Sequence, residues 1–509
     1  MTDTVQGLAP SFSSKLTATL SLSNARLFWV VLLLSIAPLW FGPHLPAVDL
    51  AQHAAQVAAL KEILAGNEAF THLFEINWFT PYLLGYLLLY ALSYVLPIAV
   101  ATQVLMTLAV LALPICTGAL LRTVGADERW KWLAIPGSYS FAFYWGFMTF
   151  MIAVPLGLLF LMQTWRFVRM PTFRNGLLIA LGSILLFFCH FIVLCAASLF
   201  ALGIVAGSNY RNIKQLILRS LPYAAPLPLI AVWGVMTYGH EASVQASHPV
   251  YALLQEKVLQ FLVQPSGLDY FSWLMTPLMT GTIALLPRLT GATLSRRPER
   301  WLPLVLGLAV FLALPTAAFH TGFLYQRMGI FLTPLWLMVW DAPRNRSARW
   351  DWLAMGVVVL WLFTNVGRFA AFAREAESFE RIVAVAPAGK RIGSLLNGYG
   401  SPLFVAPVYL HWPAWYQATR GGIVDFSFAD FFPQIVRYKA NAPPRITEIV
   451  GNDLRWFQWD VNGGANYDYF LVRSSEDIRA PLFREQSPHI ELVARSGLWW
   501  LYRNTAGPR

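Results

Sequence analysis

Apolar stretches of nearly twenty residues recur along this chain, and they constrain its fold more than any other feature. A helix needs roughly 20 apolar residues to cross the hydrocarbon core of a bilayer. Windows near that length lie at 25–41, 99–121, 131–147, 149–165, 220–238, 272–289, 301–319, 322–340 and 351–371. Because 57% of the 509 residues are hydrophobic and only 12% are charged, a soluble fold is excluded. The sequence predicts a polytopic α-helical membrane protein.

Two further apolar stretches admit two interpretations. Residues 81–97 are slightly short for a crossing, and residues 177–206 are long for one helix but short for two. If 177–206 is a hairpin that turns near His190, and 81–97 returns without a full crossing, the chain crosses about eleven times. If instead 81–97 crosses and 177–206 is one long tilted helix, two of the basic clusters described next change sides. We expect the first arrangement.

Lysine and arginine are concentrated in five short clusters between the apolar windows. These are Arg122 with Arg129 and Lys131, Arg166 with Arg169 and Arg174, Arg211 with Lys214 and Arg219, Arg296 with Arg297 and Arg300, and Arg344 with Arg346 and Arg349. Such residues remain cytoplasmic when they flank membrane spans. The net charge of +11 therefore indicates membrane topology rather than nucleic-acid binding, because the clusters form no single basic face.

The expected partner is thus the lipid bilayer, and the expected location is a bacterial inner membrane with the N-terminus in the cytoplasm. We interpret the first apolar segment as a retained anchor, since no small-x-small cleavage site follows it. The three cysteines, Cys116, Cys189 and Cys195, all lie in apolar segments without a CxxC pair. We therefore expect neither disulfides nor a metal site built from sulfur.

The composition changes after Phe372, where charges become frequent. The apolar runs Arg391–Leu396, Tyr467–Val472 and Ile490–Tyr502 are separated by Gly and Pro positions, as is typical of strands and turns. We therefore divide the chain into a multi-spanning domain, residues 1–372, with an external first loop at 42–80, and a soluble C-terminal α/β domain, residues 373–509. With about eleven crossings, this second domain is extracytoplasmic.

The first external loop contains an acid and an imidazole, Asp49 and His53. If a helix begins at Asp49, the two residues are i and i+4 and share a face. An Asp at a helix start is also a good cap, which is a purely structural alternative. Because charge is rare in this chain, we favour a functional site. A divalent cation, Mg²⁺ or Mn²⁺, is compatible with Asp49 and His53, although two ligands do not specify it.

Other polar residues fall within or beside the apolar windows. An unpaired charge at Arg327 would cost several kcal/mol within the bilayer, so it predicts a cavity and a bound anion. His190 lies at the tip of the expected hairpin, where a satisfied interfacial histidine is the alternative interpretation, and His320 follows another apolar segment. Glu75 and Tyr144 are expected on the external side, and Trp412 and Trp415 either stack on sugar rings or pack in a core.

Several of these segments together resemble the GT-C superfamily, the multi-spanning glycosyltransferases that take sugars from polyprenyl-phosphate carriers. The resemblance lies in the acidic first loop (Val48 to His53), the aromatic turn Tyr139 to Phe150, Cys189-His190-Phe191, Tyr325-Gln326-Arg327, and the soluble region at the C-terminus. The chain departs from the superfamily pattern in lacking a DxD or paired Asp-Glu in the first loop and a WWDYG-type signature. Those absences argue against protein N-glycosylation.

The resemblance implies a glycosyltransferase that moves a sugar from a polyprenyl-phosphate carrier to a cell-envelope acceptor, a glycan or a lipid, at the external face. Asp49 would then be the catalytic base, assisted by His53. The donor phosphate would be bound by Arg327, His190 and His320, and the acceptor by Glu75, Tyr144, Trp412 and Trp415.

Two other functions fit the same features: a transporter or flippase of a lipid-linked or anionic envelope precursor, and a noncatalytic envelope-assembly subunit. No repeated halves are visible, which disfavours a transporter.

Overall fold

The computed structural model describes residues 25–238, 248–263, 275–318, 321–344 and 348–506. Most of these residues are helical. The helices are Ala25–Ile36, Leu50–Leu64, Glu68–Leu73, Leu83–Leu92, Ile98–Val124, Ala134–Gly137, Phe141–Trp145, Met148–Arg169, Phe173–Cys189, Phe191–Asn209, Ile213–Ser220, Leu227–Tyr238, Leu254–Val263, Met275–Leu289, Pro298–Ala313, Leu324–Met338, Ala348–Val385, Ala414–Arg420, Glu448–Asn452 and Arg479–Phe483.

Four helices in the described chain are long and apolar enough to cross a membrane: Ile98–Val124, Met148–Arg169, Phe191–Asn209 and Arg349–Val385. A fifth candidate is the pair Ile213–Ala224 and Leu227–Thr237, which is bent by 50°. The prediction of a helical membrane protein is therefore supported in this coarser form. The predicted number of eleven crossings is not confirmed, because several apolar windows form short or broken helices.

The window at 131–147 differs most from its predicted form. It contains the end of a 3-10 helix, Glu128–Leu133, followed by the short helices Ala134–Gly137 and Phe141–Trp145. Pro136 and Gly137 disfavour a continuous helix, because proline removes a backbone donor and glycine has poor helix propensity. Gly146 ends the last piece in a left-handed conformation. A single spanning helix at this window is thus wrong.

The two ambiguous stretches take the forms expected in the first arrangement. Residues 81–97 contain only a ten-residue helix, Leu83–Leu92, about 15 Å long and half the hydrocarbon thickness. Residues 177–206 belong to two helices that meet at His190, whose backbone is extended. Gly182 of the first packs on Phe160, and Val193 of the second packs on Gly157. The alternative of one long tilted helix is therefore wrong.

The C-terminal region contains a five-stranded mixed sheet in the order β10-β11-β9-β6-β7. Its strands are β6 (Arg391–Leu396), β7 (Ile423–Val424), β9 (Tyr469–Arg473), β10 (Ile490–Ser496) and β11 (Trp499–Asn504). Strand β6 is parallel to β7 and β9, whereas β11 is antiparallel to β9 and β10. All three apolar runs that predicted strands form strands, and the last folds into the β10–β11 hairpin.

The predicted domain boundary at 372/373 falls inside a helix. Ala348–Val385 has 38 residues and is about 57 Å long, nearly twice the thickness of the hydrocarbon core. Its second half packs against β10 and β11, so it carries the chain directly into the C-terminal region. A change in composition marks where the helix leaves its apolar surroundings, but the backbone continues without a break.

The first loop and the C-terminal region share one hydrophobic core. Strand β1 (Phe74–Ile76) pairs antiparallel with β8 (Val436–Tyr438), and the first-loop helix Leu50–Leu64 packs against Ala414–Arg420. The remaining strands form two small antiparallel pairs, β2 (Thr293–Leu294) with β5 (Trp340–Asp341) and β3 (Ala317–Ala318) with β4 (Thr321–Gly322). The C-terminal region is therefore a continuation of the membrane domain, held on the first loop.

The described residues of the five basic clusters lie at one end of the helical bundle. Four contacts connect them: Arg219 Nη1 donates to Val168 O at 2.9 Å, Gly207 packs against Glu299, Arg300 binds Asp341, and the Arg129 guanidinium interacts with the Asp351 carboxylate. Arg300 also donates to the Met338 and Trp340 carbonyls, which fixes the helix ends there. The first loop, the break at His190 and the start of Leu324–Met338 lie at the opposite end.

Candidate functional site

A cavity of about 630 Å³ lies at the end of the bundle opposite the basic clusters. Its walls come from the first loop, the helix breaks and the C-terminal region. Four predicted site residues line it: Asp49, His53, His190 and Arg327. The sequence separates these residues by almost 280 positions, and the fold brings them to one chamber.

Asp49 stands at the start of the first-loop helix, but its side chain does not cap that helix. Instead, His411 Nδ1 donates to Asp49 Oδ1 at 2.9 Å, and both side chains are buried. No second hydrogen-bond partner of the carboxylate is found among the described residues. The capping interpretation therefore fails, and Asp49 retains an oxygen that can accept a hydrogen bond from a bound molecule.

Residues 141–147, within the aromatic turn Tyr139 to Phe150, fix the backbone of Asp49 by hydrogen bonds. The Asp49 amide donates to the Trp145 carbonyl at 2.9 Å, and the Val48 amide donates to the Tyr144 carbonyl at 3.1 Å. Gly146 has φ +79°, and a Cβ there would lie 2.8 Å from the Asp49 nitrogen. Only glycine permits this close approach of two backbones without displacement. The turn therefore sets the position of Asp49.

His53 is fixed by a chain of hydrogen bonds behind it. Its Nδ1 lies 2.9 Å from the Tyr86 hydroxyl, and that hydroxyl donates to Gln434 Oε1. Tyrosine has one hydroxyl hydrogen, so Tyr86 accepts from His53, which makes Nδ1 the protonated nitrogen and leaves the Nε2 lone pair free. Burial lowers the pKa of His53 to about 4; the Asp49 carboxylate raises this pKa in part, and the Arg327 guanidinium lowers it. His53 is therefore a neutral hydrogen-bond acceptor at pH 7.

The polar face of the first-loop helix binds the C-terminal region. Gln52 accepts from the Phe428 amide at 3.0 Å and donates to the Phe426 carbonyl at 3.2 Å. Gln56, one turn further, accepts from the Val436 amide at 2.9 Å. With Asp49 and His53, these residues repeat at helical spacing along one stripe. The stripe faces protein rather than solvent.

Arg327 lies in the first turn of the helix Leu324–Met338. Its guanidinium carbon is 3.5 Å from the Phe147 ring centroid, and its Nη2 donates to the Gly322 carbonyl at 3.4 Å. Its Nε is buried without a hydrogen-bond partner, and no ion pair involves it within the described ranges. Since a guanidinium has five donors, most of its capacity is free for an anion.

His190 lies at the break between Phe173–Cys189 and Phe191–Asn209. It is buried beside the rings of Tyr82, at 4.9 Å, and Phe150, at 5.2 Å. Its Nδ1 has no hydrogen-bond partner in the part of the chain that the structure describes. The alternative of a satisfied interfacial histidine therefore does not hold for this nitrogen.

The C-terminal region contributes cavity residues that the sequence analysis missed. His411, Tyr399, Gln434, Glu448 and Asn452 all line the chamber. Burial raises the pKa of Glu448, an effect that nearby His411 opposes and Asp49 reinforces. The wall near Asp49 is therefore rich in oxygen acceptors, whereas the wall at Arg327 presents donors.

Four other predicted site residues lie outside this cavity. Glu75 is on β1 and pairs with Arg437 at 3.1 Å. Tyr144 is buried, with its hydroxyl 3.3 Å from Asn365 Oδ1. Trp412 and Trp415 are buried, and His44 stacks on the Trp415 ring at 4.0 Å. Both tryptophans are therefore packed in the core and do not line the cavity. His320 lies outside the described residues.

Asp49 and His53 do not belong to a group of three or more His, Cys, Asp or Glu residues close enough to hold a metal ion, as far as the described residues extend. The three cysteines are free thiols, in agreement with the absence of a CxxC pair.

The fold and the site together define a helical membrane protein whose chamber is lined, among the described residues, by the carboxyl groups of Asp49 and Glu448, three imidazoles and the Arg327 guanidinium. No protein-family model matches the chain, and no curated protein matches it.

Proposed function

We propose that the protein is a membrane glycosyltransferase of GT-C type, which moves a sugar from a polyprenyl-phosphate carrier to a hydroxyl of a cell-envelope acceptor. The observation that carries the proposal is that Asp49 and Arg327 line the same cavity. A base and an anion-binding group in one chamber are the two parts that this reaction requires.

Arg327 is the proposed site of the donor phosphate. Arg327 lines the cavity, and its guanidinium makes a single long hydrogen bond within the described residues, so donors remain for a bound anion. A phosphate can accept two parallel hydrogen bonds from a guanidinium, and this pairing is strong in surroundings that exclude water. His190, on the same wall, adds a neutral ring nitrogen that can donate to a phosphate oxygen.

Asp49 is the proposed base. As the acceptor hydroxyl attacks the anomeric carbon, its proton passes to Asp49 while the bond between that carbon and the phosphate oxygen breaks. The electron pair of that bond leaves with the polyprenyl phosphate, whose negative charge Arg327 stabilises. The products are the glycosylated acceptor, the carrier phosphate and a protonated Asp49, which then loses its proton to solvent.

The acceptor is a hydroxyl compound, since His53 and Glu448, which lie near Asp49 on the first loop and the C-terminal wall, are neutral or acidic hydrogen-bonding groups. The Nε2 lone pair of His53 can accept from a second hydroxyl, which suits a sugar more than a phosphate. Glu448 and Asn452, on the C-terminal wall, extend this polar lining. The class of acceptor thus proposed is a glycan or a hydroxylated lipid.

We further propose that the chain passes through the bilayer eleven times, with the cavity at the external face. The support comes from contacts that alternate between the two ends of the bundle. Phe28 packs on Trp132 at the basic end, whereas Gly42 packs on Ala373 at the cavity end. The broken segment 128–145 returns between these ends, and Leu83–Leu92 remains at the cavity end. The five basic clusters would then face the cytoplasm.

The proposal is tested with purified protein and undecaprenyl-phosphate-linked sugars, by mass-spectrometric detection of released undecaprenyl phosphate in the presence of an envelope extract. Asp49→Asn should reduce release at least 100-fold but should retain binding of undecaprenyl phosphate, because it removes only the base. Arg327→Met should lose that binding.

Two matched variants serve as controls: Asp460→Asn and Arg166→Met, both at exposed positions remote from the cavity. Both should behave like the wild type. Full release by Asp49→Asn, or unchanged binding by Arg327→Met, contradicts the proposal. A transporter would instead bind the donor and move it across a vesicle membrane with the bond between sugar and phosphate intact.

A further inference from the structure

The carboxylate of Asp49 is bound by a residue that is 362 positions away in the chain. His411 Nδ1 lies 2.9 Å from Asp49 Oδ1, and it is the one hydrogen-bond partner of this carboxylate within the described residues. Both side chains are at most 9% exposed. An ionised carboxylate only accepts hydrogen bonds, so the proton of this contact belongs to Nδ1 of His411.

The other ring nitrogen of His411 is enclosed by protein atoms. Nε2 is buried and has no hydrogen-bond partner in the described chain. The rings of Phe426 and Phe428 lie beside the imidazole, at 5.1 and 5.5 Å. A proton transferred from an acceptor hydroxyl would therefore go to the free oxygen of Asp49 and not to His411.

The backbone around His411 is held by the core. His411 lies in a tight turn whose neighbours Tyr409 and Trp412 are buried against Phe372 and each other. The Ala414 amide donates to the His411 carbonyl at 3.1 Å. The imidazole is thus a rigid donor, fixed by the C-terminal region and directed at a carboxylate of the first loop.

We infer that His411 is a positioning residue for Asp49: it orients the carboxylate through Nδ1–H, so that the second oxygen faces the acceptor. This inference rests on the proposed function, because the base needs orientation only if it accepts a proton. It assigns to the C-terminal region a direct part in the reaction site.

The first test needs no enzymatic activity. In protein labelled with ¹⁵N-histidine, His411 should carry its proton on Nδ1, with the resonance assigned by its loss in His411→Asn. In Asp49→Ala the acceptor is removed, and the proton should move to Nε2 or exchange between the two nitrogens. A resonance unchanged by Asp49→Ala, or a proton already on Nε2 in the wild type, overturns the inference even if sugar transfer is never detected.

The second test compares two substitutions of His411 in the transfer assay. In His411→Asn the side-chain amide can still donate near the former Nδ1, whereas His411→Leu has no donor. We expect His411→Leu to lower kcat by roughly 10- to 100-fold with KM within about twofold, as for a lost hydrogen bond to a charged group, and His411→Asn to retain at least about a third of kcat.

Rescue by the amide separates positioning from simple structural damage. At matched thermal stability and undecaprenyl phosphate binding, kcat should fall in His411→Leu and recover in His411→Asn, because only the amide can donate to the carboxylate. Equal kcat in wild type and His411→Leu under those matched conditions contradicts the inference.

Discussion

Asp49 is fixed through both its backbone and its side chain. The Trp145 carbonyl accepts from its amide, and His411 donates to its carboxylate. A buried carboxylate without partners is costly, and the hydrogen bond from His411 Nδ1 offsets part of that cost. The carboxylate is therefore oriented, and its second oxygen can accept a hydrogen bond from a bound molecule.

The histidines of the first loop predict how stability depends on pH. Burial lowers the pKa of His53 to about 4 and that of His44 to about 3, against 6.5 for the ordinary side chain. Between pH 6.5 and 4 the unfolded chain binds protons that the native protein does not. The contribution of these two histidines to the free energy of unfolding is therefore complete above pH 6.5 and is lost as the pH falls. Acidification should therefore lower the thermal midpoint.

The measurement compares thermal midpoints of wild type and His53→Gln from pH 7 to pH 4. From pH 7 to pH 4, the free energy of unfolding should fall by on the order of 3 kcal/mol more in the wild type than in the variant, because only the wild type contains the buried, unprotonated His53 imidazole. His72→Gln, at an exposed position of the same loop, should follow the wild type. Parallel slopes for wild type and His53→Gln would show that His53 is not buried in neutral form.

Sequence reasoning found the four residues whose charge or position is unusual for a membrane segment. Asp49, His53, His190 and Arg327 stood out because polar groups are rare in apolar surroundings. His411, Gln434 and Glu448 lie in a region of ordinary composition, where no local signal separates a site residue from a surface residue. Trp412 and Trp415 were considered for their aromatic rings, whereas the histidine beside them faces the cavity.

At the level of elements, the first-loop helix and the aromatic turn form one unit. The turn supplies carbonyls to the helix start, and the helix supplies its Gln52 and Gln56 side chains to the C-terminal region. Both buried glutamine contacts satisfy backbone amides that would otherwise lack partners. Any displacement of the turn is therefore expected to move Asp49 relative to Arg327.

Gly146 and Gly66 offer a matched test of this unit. Both have a positive φ, +79° and +78°, but a Cβ at Gly146 meets the Asp49 and Leu50 nitrogens at 2.8 Å, whereas nothing lies within 4 Å at Gly66. Gly66→Ala should cost about 1–2 kcal/mol for the left-handed backbone alone. Gly146→Ala should cost more and should also reduce transfer activity, because the backbone of Asp49 must shift.

Thermal unfolding and the release of undecaprenyl phosphate measure the two effects. Equal loss of stability in the two glycine variants, with activity unchanged in Gly146→Ala, would mean that the turn does not determine the position of Asp49.

The positions of the strands and of most helices were predictable, while helix breaks were not. Strand β6 occupies the predicted run, and the windows near 149–165 and 351–371 form continuous helices. The window at 131–147 is equally apolar, yet Pro136, Gly137 and Gly146 break it into short pieces. A hydropathy profile shows which segments lie in an apolar environment. It does not show where a helix is broken, because neighbouring helices can cover the break.

At the scale of the whole molecule, the described residues of the five basic clusters and the cavity lie at opposite ends of the helical bundle. The helix Ala348–Val385 extends past the apolar region and carries the sheet over the cavity end. The domain boundary could not be located from composition. The composition changes where burial against the first loop replaces burial in an apolar environment, but the helix itself continues through that point. The first loop and C-terminal region, which are distant in sequence, fold together as the wall of one chamber.

The arrangement of the spans can be tested by cysteine labelling in sealed membrane vesicles of known orientation. Phe173 and Ile213 are exposed and flank the hairpin formed by Phe173–Cys189 and Phe191–Asn209. In a protein whose native cysteines are replaced by alanine, Phe173→Cys and Ile213→Cys should react with a membrane-impermeant maleimide from the cytoplasmic side only. Asp460→Cys should react from the opposite side.

The reaction pattern distinguishes the two interpretations of 177–206. A hairpin returns to the side from which it starts, so positions 173 and 213 share a side. Labelling of these two positions from opposite sides would indicate a single crossing between them and would contradict the eleven-pass arrangement.

The proposed function depends most directly on where a lipid-linked sugar binds. The decisive measurement is a cryo-electron microscopy structure of Asp49→Asn with an undecaprenyl-phosphate-linked sugar in lipid nanodiscs, since this variant should bind the donor without turnover. We predict phosphate density in contact with the Arg327 guanidinium, and the sugar between it and residue 49. Phosphate bound away from Arg327, or a donor that never enters the chamber containing His411, would contradict the account.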